Sequence, residues 1–107
     1  MRVIKLFGKK VDYKKARGIK KFFGLMFKSK NTQALLFKFE KNPAIHSFFV
    51  FFEFYAVWLD KNMKVVEVNK VMPFSFIIKP KKKAKYLLEI PKNKHYSEII
   101  KVLDEKL

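Results

Sequence analysis

The stretch IHSFFVFFEFYAVWL, residues 45–59, decides the fold. Seven of its fifteen residues are aromatic besides His46, and only Glu53 carries a full charge. Hiding apolar surface from water is worth roughly 25 cal/mol per Å², so any stable arrangement buries most of this run. A buried helix and a buried strand compete for it, and the residues that follow choose between them. Asp60-Lys61-Asn62-Met63 is turn chemistry, and VVEVNKV at 65–71 resumes with β-branched residues in partial alternation. That order reads as strand, tight turn, strand, with 56–59 antiparallel to 65–68 and Asn62 best suited to a positive φ. Upstream, residues 47–52 read as a separate strand or extended leg, with an irregularity around Glu53.

Outward from that core, residues 3–7 form a short strand closed by Gly8. Over 13–23, Ala16, Ile19, Phe22 and Phe23 recur at spacings near three and four. That spacing predicts an amphipathic helix with Lys14, Lys15, Arg17, Lys20 and Lys21 on its other faces. Gly18 weakens the helix and Gly24 ends it. Residues 34–39 return to strand character, and Glu40-Lys41-Asn42-Pro43 turns the chain. Residues 74–78 and 86–90 are further strands, separated by a basic loop at 79–85 and ended by Pro91. Ile99, Ile100, Leu103 and Leu107 mark a C-terminal helix that Ser97 caps.

A chain of 107 residues makes one domain. The absence of cysteine excludes disulfides, thiolate nucleophiles and cysteine-based metal sites, and it fits a reducing cytoplasm. Lys and Arg number 25 against 9 Asp and Glu, a formal charge of +16, and only Arg2 and Arg17 are arginine. Lysine is a hydrated point charge without the bidentate fork, so this surface attracts polyanions without specifying one. The opening MRVIKLFGKK lacks the apolar block of a signal peptide, and the aromatic run falls short of the ~20 residues of a membrane span. The expected protein is soluble and cytoplasmic.

Six pieces of the chain, in order, resemble the domain of unknown function 192 family, small prokaryotic proteins without an established activity. They are Gly24-Leu25-Met26-Phe27, Ala34-Leu35-Leu36-Phe37-Lys38-Phe39, Ile45-His46-Ser47-Phe48-Phe49-Val50, the segment Val57-Trp58-Leu59-Asp60 running on to Val66, Pro73-Phe74, and Tyr86-Leu87-Leu88-Glu89-Ile90-Pro91. The resemblance runs from about Ala16 to Pro91, most of the chain. The resemblance implies an α+β, β-rich fold: a strongly curved antiparallel sheet, partly barrel-like, with two short packed helices. The chain also departs from the family pattern. Tyr55 stands where the family has an Asp, with Glu53 two residues away on the same strand face, and Met63 stands where Gly is usual.

Chemistry is sparse. His46 and His95 lie in different neighbourhoods, no metal-ligand spacing is present, and no glycine-rich phosphate loop exists. His46 and Ser47 are neighbours on an extended segment and point to opposite faces, so they do not pair as base and nucleophile. Glu53 and Glu89 are the acids set among apolar residues, and with Tyr55 they are the candidate binding residues. Lys14, Lys15, Arg17, Lys20 and Lys21, with Lys79, Lys81, Lys82, Lys83 and Lys85 of the loop, form a candidate polyanion patch. The expected function is a small non-catalytic binding or accessory domain. The alternative is nonspecific nucleic-acid binding through the basic surface. No cofactor or metal is expected, the partner is a polyanion or a small ligand, and the protein is a monomer or weak homodimer.

Overall fold

A computed structural model describes residues 2–16, 31–39, 51–74 and 80–107. Within them lie six strands, β1 (Arg2–Leu6), β2 (Lys9–Lys15), β3 (Ala34–Lys38), β4 (Phe54–Leu59), β5 (Val65–Val71) and β6 (Tyr86–Pro91). A 3-10 turn at Lys94–Tyr96 leads into helix α1 (Ser97–Glu105). The strands form one sheet in the order β1-β2-β3-β6-β4-β5, curled into a half-barrel.

β4 is the second half of the aromatic run, and every one of its six residues is buried. It pairs antiparallel with β5 on one side and β6 on the other, so its backbone polar groups are satisfied while both faces are dry. Tyr55, Val57 and Leu59 pack with Leu36, Leu88, Ile90 and the α1 side chains Ile99 and Leu103. Phe54, Ala56 and Trp58 pack on the opposite face with Leu35, Phe37, Leu87 and Val71. A strand covered on both faces reads as a continuous apolar run rather than an alternation. The register includes Val57↔Val68, as the strand–turn–strand reading expects.

Four expectations need correction. The sheet is mixed, because β2 and β3 run parallel through Tyr13↔Ala34, Lys14↔Leu35 and Lys15↔Leu36. A parallel pair needs a crossover of a dozen or more residues, and residues 16–33 provide that length. The helix expected over 13–23 does not start where its spacing suggested: Tyr13, Lys14 and Lys15 belong to β2. Its remainder, with Arg17, Lys20 and Lys21, lies outside the described residues, as do the Gly24-Leu25-Met26-Phe27 piece, residues 45–50 and the bulk of the strand expected at 74–78. Among the described residues α1 is the only α-helix. Its start is not capped by Ser97; Asn93 instead accepts from the Tyr96 N–H and caps the preceding 3-10 turn.

The turn between β4 and β5 supplies the fourth correction. Met63, and not Asn62, takes the left-handed backbone angle, with φ of 63°. Asp60 braces this turn by accepting from the N–H groups of Asn62 and Lys64 at 2.8 and 3.0 Å. An L-residue in that conformation costs about 1–2 kcal/mol, which accounts for the glycine that the resembling family places there. Met63 offsets the strain by packing half-buried against the core. At the β1–β2 turn, Phe7 and Gly8 both have positive φ, 50° and 83°, the angles that a two-residue hairpin demands.

The Tyr96 hydroxyl closes the parallel seam. It accepts from the buried Ala34 N–H at 2.7 Å and donates to the Asp12 carbonyl at 2.9 Å, so one phenol bridges β2 and β3 where their pairing begins. Tyr96→Phe keeps the packing but leaves the Ala34 N–H buried and unpaired. The expected loss is ~1–3 kcal/mol of unfolding free energy in urea with an unchanged denaturant slope. A loss below ~0.5 kcal/mol would mean that water or another group replaces the phenol.

Candidate functional site

Beyond Pro91 the chain turns through Lys92-Asn93-Lys94-His95 into α1, and a groove of about 740 Å³ opens beside this segment. Ser97, Ile100 and Lys101 line it from one face of α1, at the spacing of three and four that brings helix residues together. Lys92, Lys94 and His95 line it from the turn. Asn93 ties the turn to the segment before β3 by donating to the Thr32 carbonyl at 3.4 Å, next to Asn31, which also lines the groove. Among the described residues no Asp or Glu lines the groove.

His95 is oriented from behind. Its Nε2 lies 2.5 Å from Asp12 Oδ1, and its ring meets the Tyr96 ring edge-on. Asp12 also accepts from the Gln33 side-chain amide at 3.2 Å. Burial pushes the Asp12 carboxyl up, but the His95 hydrogen bond and charge, its own backbone and Gln33 together hold it below its ordinary value. Sequence reasoning missed this pairing. The polar run between Pro91 and Tyr96 was a visible signal, but the partner acid lies 83 positions away along the chain.

The three candidate binding residues fall in three environments. Tyr55 is fully buried on the helix-covered face, and its hydroxyl donates to Asp104 Oδ1 at 2.6 Å, tying the centre of the sheet to α1. Burial raises its phenol strongly, and the Asp104 hydrogen bond and charge and the Glu53 charge add to that. Glu53 lies just before β4, where its Oε2 is 3.2 Å from Lys92 Nζ and 3.6 Å from Lys70 Nζ. Glu53 and Tyr55 are therefore electrostatic neighbours. Glu89 is opposite Ala56 and Leu35 in register, which places it on the sheet face away from Tyr55. It is 4 % exposed, its Oε1 has no hydrogen-bond partner, and burial alone raises its carboxyl to about 8.

The candidate polyanion patch divides likewise. Lys14 and Lys15 are exposed at the end of β2. The loop bearing Lys81, Lys82, Lys83 and Lys85 is tied to β5, because Glu67 accepts from the N–H groups of Lys81 and Lys82 at 2.8 and 3.3 Å. Four strand spacings of ~4.8 Å separate β2 from β5 along the sheet. Arg17, Lys20, Lys21 and Lys79 lie outside the described residues. Among the described residues no cluster of three metal-ligating side chains occurs, and no helix is long and apolar enough to cross a membrane.

Comparison with known proteins places this geometry in context. The model of the DUF192 family, described as an uncharacterized ACR, matches residues 6–105. The UPF0127 protein of Pyrococcus horikoshii is 38% identical over 78 residues, covering 69% of this chain and 66% of that protein. A UPF0127 protein of Pyrococcus abyssi is 38% identical over 77 residues, covering 68% and 64%. One from Thermococcus sibiricus is 34% identical over 76 residues, covering 67% and 49%. The match thus spans from about half to just under two thirds of these relatives' own length. Among solved structures, a Novosphingobium aromaticivorans protein of unknown function superposes with a TM-score of 0.73 at 11% identity, covering 91% of this chain and 75% of that one. A protein from Sinorhizobium meliloti does so with a TM-score of 0.70 at 16% identity, covering 92% and 82%. At those identities the likeness is one of fold.

Glu89 makes stability depend on pH. Unfolded, its carboxyl titrates near the ordinary 4.5; folded, it titrates near 8. Between those values the folded protein holds a proton that the unfolded chain has released. The contribution is therefore fully present below ~4.5 and is lost as pH rises through ~8. Wild-type protein is expected to lose on the order of 1 kcal/mol per pKa unit traversed, whereas Glu89→Gln keeps its stability through the same range. Urea unfolding at pH 5, 7 and 9 checks this. A difference between the two proteins that stays constant with pH would show that the carboxylate is charged and solvated throughout.

Proposed function

Because the chain belongs to the domain of unknown function 192 family, in which no activity is assigned, we propose its function from its surface: a small non-catalytic binding domain whose partners are anionic. The observation that supports this reading is where the carboxylates are engaged. Asp12 holds His95, Asp60 braces a turn, Glu67 binds loop amides and Asp104 takes the Tyr55 hydroxyl. Glu89 is buried and largely uncharged at neutral pH. Among the described residues only Glu53 forms ion pairs with lysine, to Lys70 and Lys92. Glu98 and Glu105 are exposed on α1, and the other described lysines form no salt bridge with any described carboxylate.

The β1–β2 hairpin shows the consequence. Lys5 and Lys10 stand directly opposite each other, exposed Lys14 shares their face, and Lys9 and Lys15 are exposed on the other face. Like charges in direct cross-strand register are destabilising, and phosphates laid against the hairpin would relieve that repulsion. This favours duplex nucleic acid as the polyanion. Each neutralised phosphate adds about −0.9 to the slope of log Kobs against log salt, so the three lysines of that face give a slope of about −3 for a duplex DNA oligonucleotide. Lys5→Glu/Lys10→Glu is expected to reduce that slope by about 2 while folding normally, since both side chains are exposed. An unchanged slope in that variant, or no retention of wild-type protein at low salt, would overturn the hairpin as the contact surface.

A further inference from the structure

We infer that the groove between the Lys92–His95 turn and α1 is a discrete site for one small organic anion, a phosphate or carboxylate head group carried on an apolar body. The inference rests on the reading that this domain binds anions, and it names a second, smaller site apart from the hairpin. Three observations carry it.

The first is charge without compensation. Lys94 and Lys101 both line the groove, and neither has a carboxylate partner among the described residues. Lys92, at the edge, is shared with Glu53 at 3.2 Å. The second is orientation. The Asp12 carboxylate engages Nε2 of His95, fixing the ring and leaving Nδ1 for other partners. Ser97 adds a hydroxyl that can donate to an anion. The third is the apolar wall. Ile100 lines the same space as Lys94 and Lys101, and lysine stems can cover apolar surface while their ammonium groups stay wet. A volume near 740 Å³ falls within the range of small-molecule sites, roughly 300–1,000 Å³. Cations alone would suit inorganic phosphate. Cations around an apolar wall suit an organic anion better.

Backbone-amide NMR titration of the full chain tests this, with phenyl phosphate as probe, phenylacetate as its carboxylate counterpart, inorganic phosphate as the anion lacking an apolar body, and benzyl alcohol as the neutral control. The expected result is saturable shifts at the amides of Lys94, Ser97 and Lys101 with phenyl phosphate or phenylacetate. Inorganic phosphate should bind more weakly and benzyl alcohol should produce no shift. Whichever aromatic anion binds more tightly identifies the preferred head group. Lys94→Ala/Lys101→Ala should weaken binding about tenfold, corresponding to ~1.4 kcal/mol, whereas Lys14→Ala/Lys15→Ala should leave it unchanged. Both pairs are exposed, so neither variant threatens the fold. Non-saturating shifts, or equal weakening by the Lys14/Lys15 pair, would overturn the site. Duplex DNA retention measured on the same variants separates the two readings. Loss of phenyl phosphate binding with DNA retention intact in Lys94→Ala/Lys101→Ala supports a discrete groove. Wild-type protein that retains DNA but ignores both aromatic anions would refute the groove and leave the hairpin reading standing. Wild-type protein that binds them but not DNA would refute the hairpin alone.

Discussion

The structure depends on one constraint: β4 must be kept dry on both faces. Its side chains alternate between two apolar layers, and its backbone is hydrogen-bonded on both edges by β5 and β6. An extended segment with no solvated face cannot lie at a sheet margin or carry a charge. The rest follows from meeting that demand. β4 takes an interior place in the sheet, α1 covers the face bearing Tyr55, Val57 and Leu59, and aromatic residues crowd the face bearing Phe54 and Trp58. Polar groups that do enter this interior are handled singly. Trp58 donates its indole N–H to Asn69 at 2.8 Å, and Tyr55 finds Asp104 at 2.6 Å. Glu89 finds nothing and stays protonated to about pH 8.

The C-terminal segment is where cover becomes architecture. Tyr96 and Tyr55 carry hydroxyls that reach across elements, one stitching β2 to β3 and the other holding α1 to the middle of the sheet. Both act between groups far apart in sequence, and both are largely shielded from water, where a hydrogen bond left unmade is most costly. The same anchoring sets the groove. Tyr96 fixes the end of the 3-10 turn, Asn93 fixes its start, and Asp12 fixes His95. Lys94 and Lys101 therefore stand on a rigid frame, although each is individually exposed. Pre-positioned donors bind with less ordering cost than donors on a mobile loop.

Electrostatics follows from the same economy. The chain has 9 acids for 25 basic residues, and the fold engages four of the eight described acids in bracing turns or loops, holding a helix or orienting a histidine. A carboxylate that accepts backbone N–H groups or a tyrosine hydroxyl keeps its negative charge, so these bonds leave the net charge unchanged. Of the described acids only Glu89 loses its charge to burial, so the excess of positive charge is essentially the one that the composition sets. Long-range attraction of anions is the direct physical result.

The sequence by itself determined the strands flanking the β4–β5 turn, the short strands at 2–6, 34–38 and 86–91, and the C-terminal helix. Each is announced within a few residues by period, turn chemistry or proline. The excess of positive charge and the lack of thiol chemistry were equally plain. Tertiary structure decided what local pattern cannot encode. The spacing at residues 13–23 predicts a helix, yet Tyr13, Lys14 and Lys15 are held extended by pairing with Ala34, Leu35 and Leu36, because a ladder of interstrand hydrogen bonds outweighs a few tenths of a kcal/mol of helix preference. Asn62 has the better intrinsic tolerance for a positive φ, yet Met63 takes it, since the Asp60 brace places the left-handed residue there and the core receives its side chain. Tyr55 and Glu89 were singled out as chemically interesting, but only the sheet register shows that they face opposite layers. Asp12 and His95 meet only because β2 and the start of α1 pack together, a long-range contact that residue spacing along the chain has no means to express.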